Sequence, residues 1–171
     1  RAIAALAVAL PRRPILVAPT GSGKTFMAVE FIRELGLRTL WLAHRKELID
    51  QAAGQLRDLG LTVGCIKADY TADPSAPVQV ASVQTLIRRT MPAAELVVVD
   101  EAHHASADTH RTILEAYPSA YRLGLTATPF RLDGRGLGDL FGELVVAATT
   151  RELCAAGTLH APKVWCSKSP D

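Results

Sequence analysis

Ala18-Pro19-Thr20-Gly21-Ser22-Gly23-Lys24-Thr25 stands between the apolar run Pro14-Ile15-Leu16-Val17 and a segment, Phe26 to Leu35, whose apolar residues recur at helical spacing. The stretch reads as a phosphate-binding loop joining a buried strand to a helix. A turn that wraps backbone N–H groups around a polyphosphate needs residues that tolerate positive φ and close approach, which Gly21 and Gly23 supply. The helix that follows points its positive dipole end and unpaired amides at the same phosphates. Pro19 through Thr25 are therefore the predicted nucleotide-binding residues. Lys24 adds a point charge for the outer phosphates, and the Thr25 hydroxyl is placed to reach a Mg²⁺ that bridges them. The first position of the pattern, usually glycine, is Ala18.

Working outward, Thr39-Leu40-Trp41-Leu42-Ala43 reads as a buried strand, and Glu47 to Leu59 as a helix ending near Gly60. Leu61 to Ile66 is a short strand and Lys67 to Pro77 a surface loop. Val78 to Ala81 is a strand, Val83 to Arg89 a short helix, and Glu95 to Val99 the most strongly β-forming run. Ala107 to Ala116 is helical and is stopped by Pro118; Tyr121 to Leu125 is a strand. Pro129 to Gly138 is a glycine-punctuated loop, followed by a strand at Leu144 to Ala147, a helix at Thr150 to Ala156 and a last strand at Lys163 to Cys166. Continuous apolar strands alternating with helices predict an α/β fold, a parallel sheet with helices on both faces. Right-handed crossovers put every strand's C-terminal end on one edge, where ligands bind.

The length of 171 residues fits one domain. A net charge of +2 is too small to argue for nucleic acid by itself, although 14 of the 19 basic residues are Arg, the side chain suited to gripping phosphates. Cys65, Cys154 and Cys166 are scattered, which favours buried thiols in a reducing cytosol over a disulfide framework. The longest apolar run, Ala2 to Leu10, is too short to span a bilayer and is expected to be a helix packed beside the first strand. The chain begins at Arg1 rather than Met, so it reads as a piece of something longer. A cytoplasmic location, no membrane partner and a monomeric state are the expectations.

A second strong signal is Val97-Val98-Val99-Asp100-Glu101-Ala102-His103-His104, a buried strand ending in two adjacent carboxylates. Side chains alternate along a strand, so Asp100 and Glu101 face different ways and can do different work. Asp100 can hold the Mg²⁺ water shell while Glu101 polarises an attacking water. Leu125-Thr126-Ala127-Thr128-Pro129 ends another strand on the same edge, with two hydroxyls able to bond to the acidic turn. Arg45 stands where a strand passes into a helix and could hold a backbone phosphate of a nucleic acid. Ser82, Gln84 and Thr85 stand at another such junction; they suit either backbone tracking or the capping of a helix.

The order of APTGSGKT, LAHRKEL (Leu42 to Leu48), SVQTL (Ser82 to Leu86), VVVDEAHH and GLTATPFR (Gly124 to Arg131) resembles motifs I, Ia, Ib/Ic, II and III of superfamily 2 helicases. Alanine at the first loop position is usual there. The DEAH spelling, TATPFR and the tail Leu132 to Val145 look like the group holding restriction-enzyme motor subunits and bacterial DNA-repair helicases. The resemblance implies a P-loop NTPase with a RecA-like first motor domain, residues 1–166, that binds ATP and Mg²⁺ and grips nucleic acid, DNA in preference to RNA. It assigns Lys24, Asp100 and Glu101 to catalysis and Thr25 and Asp100 to the metal. His103 would couple the site to Thr126 and Thr128, with a core histidine as the plainer alternative for His103 and His104.

It also implies a second RecA-like domain in the same parent chain, supplying an arginine to the transferring phosphoryl, with 167–171 the start of the linker. The piece alone is expected to bind nucleotide and hydrolyse it weakly. Two alternatives remain at this point: a non-motor P-loop ATPase, and a nucleotide- or nucleic-acid-binding module without turnover.

Overall fold

The computed structural model describes residues 2–43, 45, 48–68, 71–104, 107–128 and 137–157. The apolar runs form strands β1 (Pro14–Val17), β2 (Thr39–Ala43), β3 (Val63–Ile66), β5 (Val78–Ser82), β6 (Leu96–Val99), β7 (Tyr121–Thr126) and β8 (Glu143–Val146). A two-residue strand, β4 (Thr71–Ala72), completes a sheet in the order β4-β3-β5-β2-β6-β7-β1-β8. The pairings from β3 through to β8 are parallel. Every position of β2, β3, β5 and β6 is buried, the pattern of a sheet covered on both faces.

Helices α1 (Ala2–Ala9), α2 (Lys24–Leu35) and α3 (Ile49–Asp58) cover one face. Leu6, Phe31, Leu56, Trp41, Val98 and Leu123 pack there. Helices α4 (Val83–Leu86) and α5 (Ala107–Glu115), with the turn at 137–141, cover the other through Leu86, Ile113, Leu114 and Phe141 against Leu40 and Val97. A sixth helix, α6 (Thr150–Ala155), follows β8. Register aligns Val17 with Thr126, Leu42 with Val99, Val99 with Gly124 and Ala43 with Ser82. The C-terminal ends of β1, β2, β5, β6 and β7 therefore share one edge of the sheet.

Several predicted elements differ in detail. Lys67–Pro77 is not all loop, because β4 pairs antiparallel with β3. The following turn is tied down by the Gln79 side chain, whose Nε2 donates to the Asp73 and Ala76 carbonyls at 2.9 and 3.0 Å. Gly64 makes room for this turn, since a Cβ there would lie 2.2 Å from the Asp73 carbonyl oxygen. The short helix after β5 ends at Leu86 rather than Arg89. The N-terminal helix packs on α2 and β8 as well as on β1. The predicted strand at Lys163–Cys166, the linker at 167–171 and most of the loop from Pro129 to Gly138 lie outside the described residues. Among the described residues no helix is long and apolar enough to cross a membrane.

Candidate nucleotide site

At the end of β1 the chain turns sharply. Ala18 is fully buried and its N–H donates to the Thr126 carbonyl at 3.1 Å, so the first loop position is packed against β7 rather than open to ligand. The turn then uses left-handed backbone at Gly21 (φ 78°) and Gly23 (φ 85°), where a side chain would be strained. Gly23 is the N-cap of α2 and no side chain caps it, so the first-turn amides face the loop mouth without an internal partner from a side chain. The Lys24 ammonium folds back to donate to the carbonyls of Ala18 (2.9 Å) and Pro19 (3.2 Å). Burial lowers the Lys24 pKa, with Glu101 and Asp100 pulling the other way. The Ser22 hydroxyl is buried in the same loop without a hydrogen-bond partner among the described residues.

The acidic turn follows β6. The Asp100 N–H extends the sheet by donating to Leu42 O at 3.0 Å, and its carboxylate accepts the Glu101 N–H at 2.9 Å. Glu101 has left strand geometry altogether: its φ is +47°, a conformation that costs a non-glycine residue about 1 kcal/mol or more. Asp100 and Glu101 nevertheless line the same cavity, and their like charges interact. Burial pushes the Asp100 carboxyl up to about 6, helped by the like charge of Glu101 and opposed by the Glu101 N–H, the Trp41 indole and Lys24. The Trp41 N–H itself falls outside hydrogen-bonding geometry, so its effect on Asp100 is that of a nearby dipole.

A short 3₁₀ turn, Ala102–His104, carries His103 toward β7. Its Nδ1 lies 2.9 Å from the Thr126 hydroxyl oxygen and 3.3 Å from Glu101 Oε2. The Thr126 hydroxyl already donates its one proton to the Thr128 carbonyl at 2.6 Å, so toward His103 it can only accept. His103 therefore carries a proton on Nδ1. Thr128 N–H also donates to Thr126 Oγ1, at 3.2 Å, which locks the strand end into a small ring. Burial lowers the His103 pKa, and His104 beside it adds to the effect.

These groups line two adjoining cavities. One of about 530 Å³ holds Thr20, Gly21, Gly23, Lys24, Thr25, Asp100 and Glu101 together, with a far wall made by Leu48, Gln51, Ala52 and Gln55. The second, about 500 Å³, is lined by Thr20, Arg45, Leu48, Glu101, His103, His104, Ala127 and Thr128. Arg45 thus stands beside the acidic turn. The α3 wall was not anticipated, although its residues repeat at helical spacing on an uncharged stripe. Thr25 and Asp100 offer only oxygen donors, and a buried carboxylate beside a like charge is a setting that a hard divalent cation relieves; these residues fit magnesium.

The Ser82 junction is built differently. Ser82 is fully buried, and its hydroxyl accepts the Thr85 N–H at 3.2 Å and donates to Thr85 Oγ1 at 2.9 Å. Thr85 is buried too. Both hydroxyls serve the start of α4, and of the three predicted contacts at this junction Gln84 alone is exposed.

Comparison with known proteins places this arrangement. The family described as type III restriction enzyme, res subunit, matches residues 1–131. A 51.5 kDa protein of a Lactococcus phage is 32% identical over 142 residues, covering 81% of this chain and 29% of the phage protein. The putative ATP-dependent helicase IRC3 of Saccharomyces cerevisiae is 33% identical over 150 residues, covering 74% of this chain and 22% of the yeast protein. The chain thus spans less than a third of the length of either relative. Among solved structures, the UvsW helicase of bacteriophage T4 superposes with a TM-score of 0.67 at 21% identity, over 79% of this chain and 54% of that one, a likeness of fold. The family model covers more than half of the chain, and the chain belongs to the type III restriction enzyme res-subunit family, within the superfamily 2 helicases.

Proposed function

We propose that residues 1–171 are the ATP-binding half of an ATP-dependent DNA helicase or duplex translocase. The observation that carries this reading is the convergence of the open phosphate loop, the Asp100–Glu101 turn and the His103–Thr126 bond on one sheet edge. Lys24 exchanges its two carbonyl partners for phosphate oxygens when nucleotide enters. Thr25 and Asp100 would hold magnesium, which neutralises charge between the phosphates. Glu101, on the same cavity, orients and deprotonates the attacking water. The Nδ1–H of His103 and the Thr126–Thr128 ring connect Glu101 to β7, so a change at the acidic turn is passed to the strand end. Of the residues assigned to a nucleic-acid backbone, Arg45 and Gln84 are exposed near that edge, while Ser82 and Thr85 are buried at the start of α4.

The motif order, which resembles the first half of a superfamily 2 motor, supports reading residues 1–166 as a first RecA-like domain with a second one in the parent protein; the two relatives are long enough to hold it. Arginine fingers contribute about 10³ to 10⁵ in rate in related phosphoryl transfer, and the resemblance assigns the finger to that second domain. The test is steady-state ATP hydrolysis by residues 1–171 and by a version extended through the following domain, each with and without single- and double-stranded DNA. Near inertness of the first and DNA-dependent turnover by the second is the expected result. Brisk, DNA-indifferent hydrolysis by 1–171 alone would replace the motor with a self-contained ATPase.

A further inference from the structure

The wall facing the phosphate loop is a helix that the motif sequence does not explain. Leu48, Gln51, Ala52 and Gln55 line the 530 Å³ cavity and recur at i, i+3, i+4 and i+7, so they form one stripe along the start of α3. The rest of the helix surface is charged: Asp50 pairs with Lys67, Arg57 donates to the Val63 carbonyl at 2.7 Å, and Asp58 is exposed. The stripe toward the cavity has no charged side chain. It has two exposed primary amides, one turn apart, flanking the small side chain of Ala52.

An acidic residue at either position would repel a polyphosphate, and an apolar one would leave its oxygens without donors. A pair of neutral N–H donors across a gap kept open by alanine suits a phosphate oxygen that already has Lys24 on its other side. Gln51 and Gln55 line the same cavity as Lys24 and Glu101, the two groups read as serving the outermost, transferring phosphate, so that phosphate is the one the amides would meet. We propose that Gln51 and Gln55 bind the outermost phosphate of a nucleoside triphosphate, so that α3 distinguishes the triphosphate from the diphosphate. The proposal rests on the phosphate-loop reading of the same cavity. Leu48 lines the second cavity as well, so the helix that senses the outer phosphate also borders the Arg45 surface.

The experiment measures the affinities of a non-hydrolysable ATP analogue and of ADP, both with magnesium, by displacement of a fluorescent nucleotide. The variants are Gln51→Ala with Gln55→Ala, the same-shape Gln51→Glu with Gln55→Glu, and Lys24→Ala. The alanine pair should weaken the triphosphate analogue about 10-fold or more, since two hydrogen bonds to a charged phosphate oxygen are lost at a solvent-exposed wall, and change ADP by less than about 2-fold. The glutamate pair should weaken the analogue further. Lys24→Ala should weaken both nucleotides strongly. Equal changes for both nucleotides in the glutamine variants, or none, overturn the assignment to α3 while leaving the loop reading in place. Nucleotide binding that survives Lys24→Ala sinks the loop reading and the proposal together.

Discussion

Two strand-to-helix junctions lie on the same edge of the sheet and start their helices in opposite ways. At β1 to α2 the chain spends six residues on a loop with two left-handed glycines, and the helix begins uncapped. At β5 to α4 the helix begins at once, and the buried Ser82 hydroxyl satisfies the Thr85 amide. A helix start that satisfies its own donors is finished as structure, whereas one that leaves them open keeps a place for an anion. The comparison sets a candidate ligand site apart from a capped helix start, although both stretches carry hydroxyls, sit at strand ends and occupy motif positions.

Asp100→Asn, on the cavity that the open junction lines, has the largest expected effect. Folding raises this carboxyl from 3.8 to about 6, so the folded protein holds the proton more tightly than the unfolded chain. Ionisation therefore costs the nucleotide-free fold a penalty that grows as the pH rises from 3.8, is complete above about pH 6 and disappears below the unfolded value. The asparagine variant should be more stable at pH 7 by about 1 to 3 kcal/mol, a gain that shrinks toward zero near pH 4 in chemical denaturation. The same variant, in the protein extended through the next domain, should lose about 10²-fold or more in ATP turnover. A gain that persists unchanged at pH 4 would mean that the carboxyl is not strained by its site.

Ser82→Ala probes the closed junction and should act smaller and only on the fold. Loss of the cap is expected to cost about 1 kcal/mol, read as a lower unfolding midpoint, with nucleotide affinity unchanged. A weakened nucleotide affinity without loss of stability would move Ser82 from the cap to the site.

The phosphate loop, the DEAH strand and the parallel sheet were legible in the sequence because each is written in consecutive residues: a glycine turn between apolar runs, or two carboxylates closing a strand. The Glu101 kink and the Gln51–Gln55 wall were not, since the first depends on how the 3₁₀ turn leaves β6 and the second on α3 lying across from α2. For Ser82 and Thr85 spacing alone leaves both capping and contact open, and the structure adds the cap: both are buried and bonded to each other. The strand β4 is two residues long and has no periodicity to read; it exists through its pairing with β3.

The most direct measurement is amide hydrogen exchange across both junctions, in the free protein and with saturating Mg·ATP analogue. The account predicts that amides from Thr20 to Phe26 become strongly protected on nucleotide addition, while those from Gln84 to Leu86, already near a satisfied cap, stay as they were. Exchange at Thr20 to Phe26 that is indifferent to nucleotide would contradict the claim that the open helix start is where the phosphates bind.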